Sequence, residues 1–221
     1  SERVARLSLS AQVQRPVVAE LDFAAPPRKS ARVHHMIELH SARGFGPNPI
    51  ALAYYALASP GWRLLPHCAA SSITQVSTVR STDEAAVFGF PIHLTLESDG
   101  PPLAARPPLT LFLSVVSRDA HERTALQGYA VLTPPMEAGC TTHDAGAWRL
   151  AETRNDALRR FFVGGGEELQ DLRALSLPPG FDPSQPSCLN KHGLQTVTTG
   201  QVRVVVHTVT GMSPDRALRV I

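Results

Sequence analysis

Hydrophobic and polar residues alternate along much of this chain with the period of two that sends successive side chains to opposite faces of a strand. Val33, His35, Ile37 and Leu39 alternate with His34, Met36, Glu38 and His40. Ile92, Leu94 and Leu96 alternate with His93, Thr95 and Glu97. Leu109, Leu111, Leu113 and Val115 alternate with Thr110, Phe112, Ser114 and Val116. Each reads as a strand with one face in a core. Further strands are expected over 50–58, 73–79, 128–132, 172–177, 194–198 and 202–209. Gly200, between the last two, is placed to turn a tight hairpin, because glycine accepts the positive φ such turns need. Proline pairs such as Pro26-Pro27, Pro101-Pro102 and Pro134-Pro135 punctuate the pattern, since proline has no N–H for a ladder and marks a break or an edge. About nine strands at this spacing predict an all-β antiparallel sandwich.

One short helix is expected near 156–163. Asn155 is a good N-cap, and Asp156 sits near the positive end of the helix dipole. Leu158, Phe161 and Phe162 fall at i, i+3 and i+4 and share one face, which is expected to be buried. Arg160 projects to the other side and Gly164 stops the helix. So short a helix is stable only when packed on the sandwich.

Composition narrows the function classes. At 221 residues with 43% hydrophobic positions, the chain can bury one sizeable core. Its 21 basic and 19 acidic residues leave a net charge of +2, and aromatics are only 6%, so nothing points to nucleic acid. Cys68, Cys140 and Cys188 are odd in number and far apart, and no CxxC pair seeds a zinc site. They are expected to be buried or half-buried free thiols of a reducing compartment. No apolar run approaches the ~18 residues of a membrane-spanning helix. The chain opens on Ser1 and not on methionine, so it is expected to be a piece of a longer protein.

Candidate chemistry is sparse. Gly164-Gly165-Gly166 closes a helix and is followed by Glu167 and Glu168, the reverse of a phosphate-binding loop. Gly44-Phe45-Gly46 runs into Pro47, which removes an amide that a phosphate would want. His34 and His40 would stand about 20 Å apart along a strand; the nine histidines are expected to be exposed strand residues. Asp83, Asp99, Asp119, Asp144, Asp171 and Asp182 are scattered, with no D-x-D pair to start a calcium site. No nucleophile–base or metal constellation assembles, so no catalytic residue, metal or cofactor is expected. Arg154, Arg159, Arg160 and Arg173 concentrate positive charge around the helix. A solvated helix face is the plain reading; the functional one is a surface for anionic lipid or an acidic partner.

Residues 33 to 209 resemble the B9 domain family. The resemblance begins with the strand around Ile37, with Trp62 before Thr74-Gln75, and continues through the aromatic–proline step Phe90-Pro91. It includes Gly128-Tyr129, the turn from Pro135 to Gly139, and Trp148-Arg149. The most specific stretch holds Phe161, Phe162, Gly164 and Gly165, then Glu168 to Leu172, Gly193 to Thr196, and Thr198-Thr199-Gly200. Two departures are Ala130, where a second glycine often follows Gly-Tyr, and Lys191-His192 before Gly193. The resemblance implies a C2-like antiparallel β-sandwich over 33–210, an N-terminal extension over 1–32 with room for an added strand, and a tail over 211–221. It also implies a non-enzymatic scaffold module, cytoplasmic at the ciliary transition zone or basal body, whose partners are other B9-domain proteins. The alternative is a calcium-independent peripheral membrane module on anionic phospholipid.

Overall fold

The computed structural model describes Pro26 and residues 30–79, 84–98, 107–119, 123–152 and 195–212, with isolated positions 155, 158, 162, 169 and 172. The strands are β1 (Ala31–Arg43), β2 (Ile50–Ala58), β3 (Trp62–Leu64), β4 (Ser71–Ile73), β5 (Ala86–Ser98), β6 (Leu109–Arg118), β7 (Thr124–Leu132), β8 (Gly139–Leu150) and β9 (Thr196–Met212). They form one antiparallel sheet of order β3-β5-β1-β9-β8-β7-β6-β2-β4.

The sheet curls so that its two halves face each other. Val33, Ile37 and Leu39 of β1, Leu94 and Leu96 of β5, and Val202, Val204 and Val206 of β9 share one buried cluster with residues of the other half. Those are Leu52 of β2, Leu111 and Leu113 of β6, and Ala130 and Leu132 of β7. Alternation along each strand turns these side chains inward, and burial of each valine, leucine or isoleucine is worth about 1.5–3 kcal/mol. The result is the antiparallel β-sandwich expected from the pattern, of the C2-like kind that the resemblance implied.

Several boundaries differ from the sequence reading, each for a physical reason. β9 runs unbroken through Gly200, which stands opposite Ala147 at a bulge in the β8–β9 ladder. The glycine turns no hairpin; a Cβ there would clash with the Arg43 carbonyl oxygen and come within 2.9 Å of the Phe45 ring. What it supplies is room for a crossing loop. β5 extends back to Ala86 through Pro91. Pro91 pairs with Glu38 on one flank, while β3 covers only Leu96 to Ser98 on the other, so the missing N–H costs no ladder bond. The strand expected over 73–79 ends at Ile73, and the chain beyond it returns to β2 through a bridge between Ser77 and Ile50. Leu172 takes a 3₁₀ conformation where a strand was expected to start, and 173–177 lie outside the described residues. β3 and β8 were not anticipated.

Leu158 and Phe162 are helical, as expected, and so is Asn155, which was expected to cap the helix from outside it. Leu158 and Phe162 are nevertheless 56% and 70% exposed, so they do not form the buried face that their spacing suggested. The first 25 residues and 213–221 lie outside the described residues.

Candidate interaction surface

The outer face of β3, β5 and β1 is polar and carries a network of ion pairs and hydrogen bonds. Glu97, buried at the register position of Arg32, accepts hydrogen bonds from Arg32 at 2.9 Å and from Arg63 at 2.5 Å. Burial alone would raise its pKa, but the hydrogen bonds and charges of the two guanidiniums outweigh it and hold the carboxyl below its ordinary range. His34 Nδ1 lies 3.0 Å from Thr95 Oγ1, and its ring stacks on His93 with centroids 6.0 Å apart. Burial, and then the charges of His34 and His67, push the His93 pKa down. The Thr95 N–H donates to Cys68 Sγ at 3.1 Å, and burial pushes that thiol up.

The histidines correct the expectation of exposed strand positions, because His34 is buried and His35 is fully so. His35 belongs to the inner face, with Nδ1 3.1 Å from Thr208 Oγ1. Among the described residues, no group of three or more His, Cys, Asp or Glu side chains is disposed to hold a metal ion. Cys68 is half-buried, but Cys140 is exposed, contrary to expectation, at the start of β8.

Arg154, Arg159, Arg160 and Arg173 lie outside the described residues, as do Phe161, Gly164 and Gly193. The other singled-out positions have packing roles. Trp62 is buried against the core. Tyr129 and Trp148 meet edge to face, 6.2 Å between centroids, and are register partners across β7 and β8. The Leu169 N–H donates to the Tyr129 hydroxyl at 2.9 Å, tying the segment after β8 to this aromatic pair. A Cβ on Gly128 would come within 2.6 Å of Thr199 Oγ1, so close approach of β9 explains that glycine.

The surface that sequence reasoning missed is β8. From Gly139 to Ala147 it pairs with β9, Gly139 with Thr208 through Ala147 with Gly200. On its other side, the described residues give one register pair with β7, Tyr129 with Trp148. Cys140, Thr142, Asp144 and Gly146 are exposed on one face; Thr141, His143 and Ala145 are half-buried on the other. Asp144 accepts two hydrogen bonds from Arg203 on β9, at 2.8 and 2.9 Å, which lower its pKa. The segment carries no period-two apolar signal because neither face is fully buried, and that is why the pattern did not show it.

The fold is thus an antiparallel β-sandwich whose outer face over β3, β5 and β1 is polar and cross-linked by ion pairs and hydrogen bonds. The chain belongs to the B9-C2 family of ciliary basal body-associated B9 proteins, whose family model matches residues 33–209. It is similar to human "Tectonic-like complex member MKS1", 30% identical over 181 residues, covering 77% of this chain and 31% of that one. It thus spans about a third of the length of these longer relatives. It is also similar to rat "B9 domain-containing protein 2", 31% identical over 152 residues, covering 69% of this chain and 82% of the relative. The frog (Xenopus laevis) protein of that name is 29% identical over 174 residues, covering 79% and 90%. Among solved structures, a C2 domain of a plant extended synaptotagmin 1 aligns over 80% of this chain and 93% of its own, with a TM-score of 0.36 and 11% identity.

Proposed function

We propose that this chain is a non-enzymatic scaffold module of the ciliary transition zone. Its role is to bind other B9-domain proteins in an assembly that supports cilium formation and the membrane diffusion barrier. The observation that supports this is the distribution of its relatives. The same fold makes up most of the short B9 domain-containing protein 2 and about a third of a longer protein named as a complex member. A domain that recurs alone and inside a larger chain, with no catalytic residues assignable from its sequence, suits assembly more than chemistry.

The test has two arms. The chain is mixed with purified B9 domain-containing protein 2 on size exclusion, and with phosphoinositide liposomes in calcium-free sedimentation. Co-elution without sedimentation is expected. Sedimentation without co-elution would replace the scaffold reading with the peripheral membrane module. Arg154, Arg159, Arg160 and Arg173 would then be its candidate contacts, and Arg159→Glu with Arg160→Glu should release the liposomes.

A further inference from the structure

We infer that the outer edge of β8, from Gly139 to Gly146, is a strand-addition site that accepts an extended segment of a partner protein. The inference rests on the scaffold reading for the existence of that partner and adds where and how it docks. A β-strand bonds on both flanks, and each flank without a neighbour presents alternate N–H and C=O groups to whatever comes next. On the β9 side the ladder is continuous over this segment. On the opposite side, the described residues supply the single pair at Trp148, beyond the segment's end. Cβ atoms built on Gly139 and Gly146 meet nothing within 4 Å, so the sheet faces at the two ends of the segment are uncovered as well.

The two strands that terminate the sheet are guarded. β3 and β4, which terminate it, are three residues long each. The flank of β5 left bare by β3 carries Pro91 and a positive-φ Gly89 beside the register shift between Leu39 and Ser41. These are the devices that keep strand edges from pairing with other chains. The β8 segment reads GCTTHDAG, without proline or lysine, and its one carboxylate, Asp144, is engaged with Arg203 on the same sheet. An eight-residue edge lacking guards is a docking template.

The two faces of β8 specify the occupant. On the inner side, half-buried Ala145 and Met136 pack against the core, and Leu132 ends β7 in the same cluster. An added strand continues this side beside Thr141, His143 and Ala145; since Thr141 and His143 already pair with each other, its inward residues are apolar and extend the cover of the core that Ala145 begins. Its outward residues lie beside Thr142 and the Asp144–Arg203 pair and are polar. A second copy of this chain pairing through its own β8 would instead bring Thr141 and His143 inward, two polar side chains 2.9 Å apart that satisfy each other. The fitting partner is therefore a different protein with an alternating apolar–polar strand.

The experiment is amide hydrogen exchange of the 221-residue chain, alone and with B9 domain-containing protein 2 as the probe. Alternate amides within 140–146 should slow by about tenfold or more on complex formation, as new ladder bonds form. Ala145→Lys, which puts an inward charge on the edge, should weaken the complex by about tenfold or more. The exposed-face control Thr142→Ser should leave it unchanged. Circular dichroism and melting of Ala145→Lys in isolation distinguish lost docking from lost folding. A complex in which 140–146 exchange as in the free chain overturns the strand-addition site and leaves the scaffold reading standing. Absence of any complex overturns both. Protection of 140–146 in the chain alone, growing with concentration, overturns the hetero-partner assignment in favour of a second copy.

Discussion

The Phe45 ring stands against the α-carbon of Gly200, so close that a Cβ on Gly200 would come within 2.9 Å of two ring carbons. This contact lets the loop after β1 cross β9, where Gly200 faces Ala147 beside the bulge in the β8–β9 ladder. Gly200→Ala should destabilise the fold by about 2–3 kcal/mol, since the Arg43 carbonyl and the Phe45 ring cannot both retreat. Urea denaturation checks it. A loss below about 0.5 kcal/mol, the range of an ordinary surface change, would mean that the crossing is not tight.

His35 makes stability depend on pH. Burial, with a smaller contribution from the His34 charge, lowers its pKa from 6.5 to about 4. Above the unfolded value of 6.5 the ring is neutral in both states and adds no slope. As pH falls from there, the unfolded chain takes up a proton that the folded state refuses. Stability declines by up to about 1.4 kcal/mol per pH unit until the folded pKa is passed. The lowered pKa of His93 acts in the same direction. His35→Phe should flatten this part of the profile in denaturant melts at several pH values; an unchanged slope would assign it elsewhere.

Glu97 acts at lower pH. Its carboxyl, held below the ordinary 4.5 by Arg32 and Arg63, contributes stability that is present above that value and is lost as pH falls through the folded pKa. Glu97→Gln leaves the Arg32 guanidinium, itself only 11% exposed, opposite a neutral amide. A cost of about 2–3 kcal/mol at neutral pH is expected, together with loss of this acid-range slope. Equal stability of the two proteins at neutral pH would show that the paired charges only offset their own desolvation.

Phe162→Ala should cost less than about 1 kcal/mol, because the side chain is 70% exposed and removing it opens no cavity. A loss of about 3 kcal/mol or more, typical of a buried phenylalanine, would show that the ring is covered in solution. Thermal melts of the single variant decide between the two.

What the sequence determined by itself was the class of fold and the identity of the core. β1, β5, β6 and β9 each put a mainly apolar face inward, interrupted in β1 by His35, and period two makes that face legible before any pairing is known. Family membership was legible too, because the resemblance rests on irregular positions such as Trp62, Gly128, Tyr129, Trp148 and Gly200, which stand in the chain in the order that the B9 likeness implies. Tertiary structure alone decided what those positions do. Gly200 looked like a turn and proved to be a crossing point, since glycine serves positive φ and close approach equally well and the letter does not say which. Likewise, the spacing of Leu158 and Phe162 places them on one helix face, but only packing decides whether that face is covered. β8 stayed hidden because its residues are chosen for neither face. It is held by backbone pairing with β9, and a main-chain interaction leaves little trace in side-chain pattern.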